Sequence, residues 1–544
     1  MIMKRQGAFV MALVCSWYTQ AQPTFEKLWD CQGAAPLAMT ELTSGNVLVN
    51  FQYSRGASVF DPGGNLVQST HYWNYRTGGP YAIRQRSMND FVFVTTYELS
   101  DSCSSFMSTT IPPLYPAIGT MDSLGNVQAL LYYGMNAANC RNHPRDLLVT
   151  ENGGTVVWGR DKFFFALRVD ANGEPVWSRH FGYHGLDQSF GHRGSFQFIR
   201  ELPGGDLIAG INMDTAGVVV ARMDASGNFL WCKGYMPEGM VHDCLIESDG
   251  SFIITGATDT IASTNSLIPV PPDYHPKLFM MKLDGDGEVQ WCKGYDSEPW
   301  QWYSRAPSRI VRAHDGNYMV LGSIGVQDYN LEYRPLLMKT DLNGDTLWTR
   351  SVGRSGYRHN TGDLLAYSDG GYIFNGVIIG DVGPSSSGAY YIFKTDSLGH
   401  LPCYERWHPI TISDLFPTDS SFTLSSTDGA TMFEVSVADT SYAPIVVYDG
   451  CTFTTGIPTM NKGSSKPRVR PNPNTGRFTV EFADPLMAET YYSVYDALGK
   501  LLYQRPLAPG KTTEEVDLSR FGAGTYVIRC TDPGGVSYER VVVE

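Results

Sequence analysis

Residues 221–231, ARMDASGNFLW, and residues 280–291, MMKLDGDGEVQW, carry one pattern: alternating apolar residues, then Asp-x-x-Gly, then Trp four positions beyond the Gly. The same phrase recurs at Asp61, Asp122, Asp170, Asp224, Asp284, Asp341 and Asp396, at spacings of 48 to 61 residues. Trp177, Trp231, Trp291 and Trp348 fill the Trp position in the four middle copies, and the others lack it. Between these phrases lies a second set of turns at Ser44-Gly45-Asn46, Asn89-Asp90, Gly153-Gly154, Gly204-Gly205, Asp249-Gly250, Asp315-Gly316 and Asp369-Gly370. Apolar alternation flanks each, as in DGSFIITG and DGNYMVLG, and Gly supplies the positive φ of a tight hairpin. Each repeat therefore reads as two β-hairpins, or four strands.

A four-stranded sheet cannot bury both faces alone, so seven of them at this period predict radial packing as a seven-bladed β-propeller over residues 24–407. The Trp is expected at a seam between sheets. The phrase resembles that of other Trp-bearing propeller families, the quinone-dependent dehydrogenases included, but its turn is one residue shorter and no cofactor ligands match. The first hairpin begins near Ala38 and the last ends near Trp407, so one blade is expected to be assembled from both ends of the region, leaving no open sheet edge.

In an up-and-down blade both tight turns lie on one end of the body and the long connections on the other. Those connections are 71–80, 133–143, 182–195, 235–242, 257–277, 295–308 and 353–361. Loops on a rigid scaffold are where binding residues sit. Trp73, Tyr75, Tyr183, His184, Trp300, Trp302 and Tyr303 are the candidate binding residues, with Arg76 and Arg305 nearby. Their aromatic faces suit stacking on a sugar or gripping a peptide; packing between blades is the structural alternative.

Composition limits the functions. The chain has 544 residues, 42% hydrophobic and 12% aromatic, too apolar for a disordered protein. Its 56 Gly and 31 Pro favour strands and turns over long helices. A formal charge of −14 without any Lys/Arg run speaks against nucleic acid and anionic membrane surfaces as partners. Lys4 and Arg5, the apolar run Gly7–Trp17 and the small-residue exit Thr19-Gln20-Ala21 read as a signal peptide over residues 1–21, cut after Ala21. No later stretch has the length of apolar sequence a spanning helix needs.

Export implies an oxidising compartment for Cys31, Cys103, Cys140, Cys232, Cys244, Cys292, Cys403, Cys451 and Cys530. Pairs Cys403–Cys451 and Cys103–Cys140 are candidates, and the odd number leaves at least one thiol over. Chemistry has few footholds. His180, His184, Asp187 and His192 are the one local cluster of metal-ligand types, at a spacing that fits no zinc pattern. DGDGE at 284–288 and DLNGD at 341–345 lack the Glu that completes a calcium loop, so their Asp residues read as turn acceptors. PGKTT at 509–513 lacks the first P-loop Gly. There is no Gly-x-Ser-x-Gly and no His-Glu-x-x-His. No catalytic residue, metal or cofactor is assigned.

Residues 408–451 read as an additional β segment and 452–466 as a linker rich in polar residues, Pro and Gly. The last stretch, 467–544, alternates as a small antiparallel β-sandwich. Pro471-Asn472-Pro473 with Gly476, then Tyr495-Asp496 with Gly499, then Asp517-Leu518 followed by Gly524-Thr525-Tyr526, stand in order before a terminal Val541-Val542-Val543. On these residues the tail resembles the C-terminal sorting domain of the Bacteroidetes type IX secretion system. That resemblance implies a route through the periplasm to an outer-membrane translocon as partner, followed by release or surface attachment. The tail is an address and does not disclose what the cargo does. The leading expectation is a non-catalytic module that binds a glycan or protein; the alternatives are a hydrolase with its site at the channel mouth and a structural surface-layer protein.

Overall fold

The computed structural model describes residues 22–30, 36–51, 56–73, 80–98, 103–104, 110–111, 114–135, 142–160, 164–182, 194–213, 217–236, 239–258, 277–297, 301–302, 308–325, 333–353, 357–379, 389–403, 405–421, 425–428, 430–434, 438–441, 445–449, 467–482, 490–496, 501–508, 510–532 and 535–544. The segment assigned to a signal peptide lies outside them. The described chain is strand and turn throughout, apart from a single 3₁₀ turn at Ser519–Phe521. Among the described residues no helix is long and apolar enough to cross a membrane.

The Asp-x-x-Gly phrase builds one turn seven times. In each copy the Asp carboxylate accepts the backbone N–H groups two and four residues on, for example Ser226 N and Asn228 N on Asp224 Oδ1, both at 2.9 Å. The same pair of bonds forms at Asp61, Asp122, Asp170, Asp284, Asp341 and Asp396. The Gly of each copy takes a positive φ, between 76° and 88°. These carboxylates satisfy turn N–H groups, as Asx turns do.

The strands form small antiparallel sheets in a propeller-like arrangement. The first unit pairs Pro36–Glu41, Val47–Phe51, Gly56–Phe60 and Leu66–Trp73 in order, and the second, third, fourth and fifth repeat this plan with strands between residues 82 and 296. An eleven-stranded sheet supplies two more units, which meet where Tyr333 lies parallel to Arg358. The sixth spans Arg309–Arg312 to Thr346–Val352. The seventh takes Arg358–Ala366, Tyr372–Ile379 and Ala389–Thr395 from one part of the chain, and its fourth strand, Phe25–Asp30, from the other.

Middle strands are apolar on both faces, and residue parity decides which neighbour each side chain meets. Val47 and Val49 pack with Tyr390 and Ile392 of the seventh unit, whereas Leu48 packs with Phe91 and Phe93 of the second. Val219 and Ala221 face the third unit, and Val218 and Val220 the fifth. Apolar clusters of this kind join each unit to the next, and the last, between units seven and one, returns to the start.

Trp sits at these seams. Trp177 and Trp231 donate their indole N–H to Ala225 O and Gly285 O in the next unit's Asp turn, at 2.9 and 3.3 Å. Two and four residues after Trp231, Lys233 pairs with Glu288 and Tyr235 donates to Gly287 O at 2.7 Å. Lys293 and Tyr295 repeat this against Asp345 and Gly344.

Residues 405–449 do something the repeat does not foretell. The segment lays one short strand on the outer edge of every unit, in the order six (Glu405–Trp407), five (Thr411–Asp414), four (Thr418–Ser421), three (Ser425–Asp428), two (Ala430–Glu434), one (Ala438–Ser441) and seven (Ile445–Asp449). The chain after the Asp396 turn therefore leaves its own sheet for the sixth unit, where Trp407 lies opposite Arg350. The belt starts and ends against one strand. Cys403 N donates to Glu26 Oε1 at 3.2 Å, and Asp449 lies opposite Lys27.

The tail carries a three-stranded sheet (Arg468–Arg470, Arg477–Glu481, Thr513–Asp517) and a four-stranded one (Leu501–Leu507, Thr490–Tyr495, Gly524–Asp532, Gly535–Val543) around a shared apolar cluster containing Phe478, Val494 and Ile528.

Candidate functional site

The innermost strand of every unit lines one cavity of about 610 Å³, with Met39, Arg84, Leu148, Arg200, Asp243, Ile310 and Asp363 each from a different unit. A change of pairing register at Pro144/Asp146, Val241/Asp243 and Thr361/Leu364 coincides with an acidic residue, Asp146, Asp243 or Asp363, in three of these strands. Asp146 and Asp243 each accept the next residue's freed N–H, from Leu147 at 2.8 Å and Cys244 at 2.9 Å.

Three arginines complement three aspartates. Arg84 pairs with Asp146, Arg200 with Asp243, and Arg309 with Asp363 at 3.4 Å. Read in chain order, units two to seven present Arg84, Asp146, Arg200, Asp243, Arg309 and Asp363, an alternation of sign. Seven positions cannot alternate to closure, and the first unit interrupts the series with Met39, whose N–H donates to Asp363 Oδ2 at 2.9 Å. Burial pushes the Asp363 carboxyl above the usual range, opposed by Arg309 and Arg84. Burial works against the charge on Arg200, but Asp243 and Asp146 outweigh it and leave its pKa raised. Arg84, Arg200 and Arg309 thus each face an aspartate of the next unit, and the three pairs clasp neighbouring sheets together.

Sequence reasoning missed these six residues. A signal existed: Asp146, Asp243, Arg309 and Asp363 each stand seven residues before the Gly of the second turn, at Gly153, Gly250, Gly316 and Gly370.

Of the aromatic candidates, Trp73 ends the outer strand of the first unit opposite Ala438, and Trp302 lies in Gln301–Trp302 opposite Ile324. The two stand in different units. Tyr75, Tyr183, His184, Trp300 and Tyr303 lie outside the described residues, as do His184, Asp187 and His192 of the metal-type cluster. His180 is buried, 3.4 Å from Asn142 Oδ1, and burial lowers its pKa. Among the described residues no group of three or more His, Cys, Asp and Glu is placed to hold a metal. Cys232, Cys244 and Cys292 are buried free thiols, Cys530 is buried and outside any disulfide, and Cys403 is disulfide-bonded.

In the tail the motif residues fasten the start of the domain to its end. The Asn472 side chain donates to Arg540 O at 2.7 Å and accepts from Val542 N at 2.9 Å. Pro471 and Pro473, both after cis peptides, flank it. Gly476, at φ 96°, has Ser519 Cα only 2.8 Å from where a Cβ would stand. Tyr526 donates to Phe521 O and Gly522 O at 2.9 and 2.8 Å, just before Gly524 starts its strand. Asp496 follows the strand Thr490–Tyr495, and Gly499 lies outside the described residues.

Residues 468–544 match the family model described as a secretion system C-terminal sorting domain. This tail marks the chain as type IX secretion cargo, exported to the cell surface or the extracellular space. No curated protein matches the chain. Among solved structures it is similar to Kuenenia stuttgartiensis hydrazine synthase (13% identity, TM-score 0.38, covering 56% of this chain and 76% of that one). It is similar also to a protein of unknown function from Dyadobacter fermentans DSM 18053 (10%, TM-score 0.39, 68% and 98%) and to a fungal alcohol oxidase of the AA5 family in complex with copper (10%, TM-score 0.39, 95% and 98%). Likenesses this distant carry no argument about what the chain does.

Proposed function

We propose that the seven units are the blades of a closed β-propeller, that residues 467–544 fold beside it as a β-sandwich sorting domain, and that the exported body is a non-catalytic module for binding a glycan or a protein. The observation that carries this reading is the direction of the strands. Both tight turns of every unit fall at one end of the body, so the long connections leave from the other, on a scaffold whose seams are locked by Trp and Tyr. Trp73 and Trp302, with Tyr75, Tyr183, His184, Trp300 and Tyr303 on those connections, are the residues proposed to meet the ligand.

The test is a screen of the purified chain on a glycan array and against extracted cell-surface proteins, repeated with Trp300→Ala/Trp302→Ala. Loss of a hit by tenfold or more with an unchanged melting temperature supports the reading; binding untouched by these and the Trp73→Ala and Tyr183→Ala changes refutes it. One observation favours a hydrolase instead, namely the raised carboxyl of Asp363 in the channel cavity. Hydrolysis of an array glycan that is abolished by Asp363→Asn would decide for that second reading.

A further inference from the structure

One charge cluster joins the tail to the body. Glu405, at the head of the belt, has a side chain only 7% exposed. Within the body its carboxylate accepts from His400 Nδ1 at 2.9 Å and from Leu401 N at 2.7 Å, and Arg350 stands 3.8 Å away. The fourth partner comes from the other end of the chain: Arg529 Nη1, 3.5 Å from Glu405 Oε1. Burial raises the pKa of Glu405, but the His400 bond and the Arg350 and Arg529 charges outweigh it and leave the carboxyl below its usual range. Arg529 belongs to the strand Gly524–Asp532, whose Tyr526, Ile528 and Cys530 point into the tail's apolar cluster. By the alternation of a strand, Thr525, Val527 and Arg529 face the other way. Along that outer face Thr525 is exposed, Val527 half-buried and the Arg529 side chain 13% exposed, and Ser493, opposite Arg529 in the next strand, is buried. Cover therefore deepens toward the residue that meets Glu405. A guanidinium gives up water only where an opposite charge replaces it, and Glu405 is that charge.

We propose that the sorting tail is docked on the body in the folded cargo, with the outer face of its four-stranded sheet on the head of the belt and Arg529 as the latch in the cluster of Glu405, Arg350 and His400. The proposal rests on the tail folding as the sandwich described above. Tethering favours it. The belt ends at Asp449, opposite Lys27, and the adjoining Glu26 receives Cys403 N, two residues before Glu405. The chain is thus handed to the tail beside the docking point, and residues 450–466 hold the tail there at the high effective concentration of a short tether, so a small contact suffices. While the tail is docked, this sheet face is closed to other partners, and its release must precede any use of that face.

The test is small-angle X-ray scattering from the native full chain, from Arg529→Glu, which sets a second carboxylate against Glu405, and from Thr525→Glu, a control at the exposed end of the same face. The native chain and the control are expected to scatter as one compact body. Residues 450–466 number 17, and a tail released on a flexible tether of that length roams about 20–25 Å, so Arg529→Glu is expected to lengthen the maximum dimension by about 20 Å. A folded Arg529→Glu chain with the native curve, or an equal expansion in the control, overturns Arg529 as the latch. If Arg529→Glu does not fold, the native curve decides alone: a single compact body supports docking, and a folded tail that samples many positions overturns it. Raised high-angle scattering, the mark of an unfolded tail, would overturn the sandwich reading together with the dock.

Discussion

One guanidinium nitrogen of Arg84 reaches both carboxylate oxygens of Asp146, at 2.8 and 3.0 Å, across the seam between the second and third units. The two side chains are 32% and 17% exposed, so the pair is only partly screened by water. Removing either partner leaves the other charged in the channel wall. Asp146→Asn and Arg84→Met are each expected to cost about 1–3 kcal/mol, with a coupling of about 0.5–3 kcal/mol in the double-mutant cycle. Urea midpoints measure both, and zero coupling would show that the contact contributes nothing.

His408, in the belt, is buried with its Nε2 3.3 Å from Ser297 O. Burial, assisted by the nearby Arg334 charge and opposed by the Ser297 carbonyl, lowers its pKa to about 4. Unfolded, the imidazole titrates near 6.5. Between these values the unfolded chain holds the extra proton, so stability is present above the upper value and is lost as pH falls toward the lower. This group's contribution is a slope of at most about 1.4 kcal/mol per pH unit. His408→Gln should flatten the melting temperature between pH 6.5 and 4 relative to the native chain, and an unchanged curve would remove His408 from the acid response.

Two turn glycines separate strain from crowding. At Gly399 (φ 78°) an added Cβ would stand 2.2 Å from Trp348 Cη2, whereas at Gly250 (φ 82°) it meets nothing within 4 Å. Gly250→Ala should cost only the left-handed conformation, about 1–2 kcal/mol. Gly399→Ala adds the displacement of an indole, about 1–3 kcal/mol more. Equal losses in thermal unfolding would mean that the Trp348 seam yields freely.

The disulfide of Cys403 sits where the belt begins. The expected partner is Cys451, which lies outside the described residues, two positions beyond Asp449 and its pairing with Lys27. Peptide mapping without reductant should return the Cys403–Cys451 pair, and Cys403→Ser should lose about 2–4 kcal/mol. Recovery of Cys403 joined to Cys31 would contradict the assignment.

The repeat was legible in the sequence because its chemistry is local. An Asp that accepts N–H groups two and four residues on, beside a Gly of positive φ, leaves the same mark wherever the turn occurs, and Trp177, Trp231, Trp291 and Trp348 mark the seams those turns build. The six channel charges were illegible as a set because their partners lie in neighbouring units, 43 to 62 residues away. Residues 408–451 read as added strands, but where those strands pair did not: their partners are sheet edges at sequence distances of 53 to more than 400 residues. The tail motifs were read by resemblance, and the bonds of Asn472, Gly476 and Tyr526 supply their physical reason.

The strand Phe25–Asp30 lies between Ala389–Thr395 on one side and Ile445–Asp449 on the other. Both of its neighbours are made several hundred residues after it. A nascent chain cannot complete this sheet, and a product that stops before residue 389 carries an orphaned first strand. Closure of this sheet thus waits on translation through residue 449, and contacts so distant along the chain are slow to form.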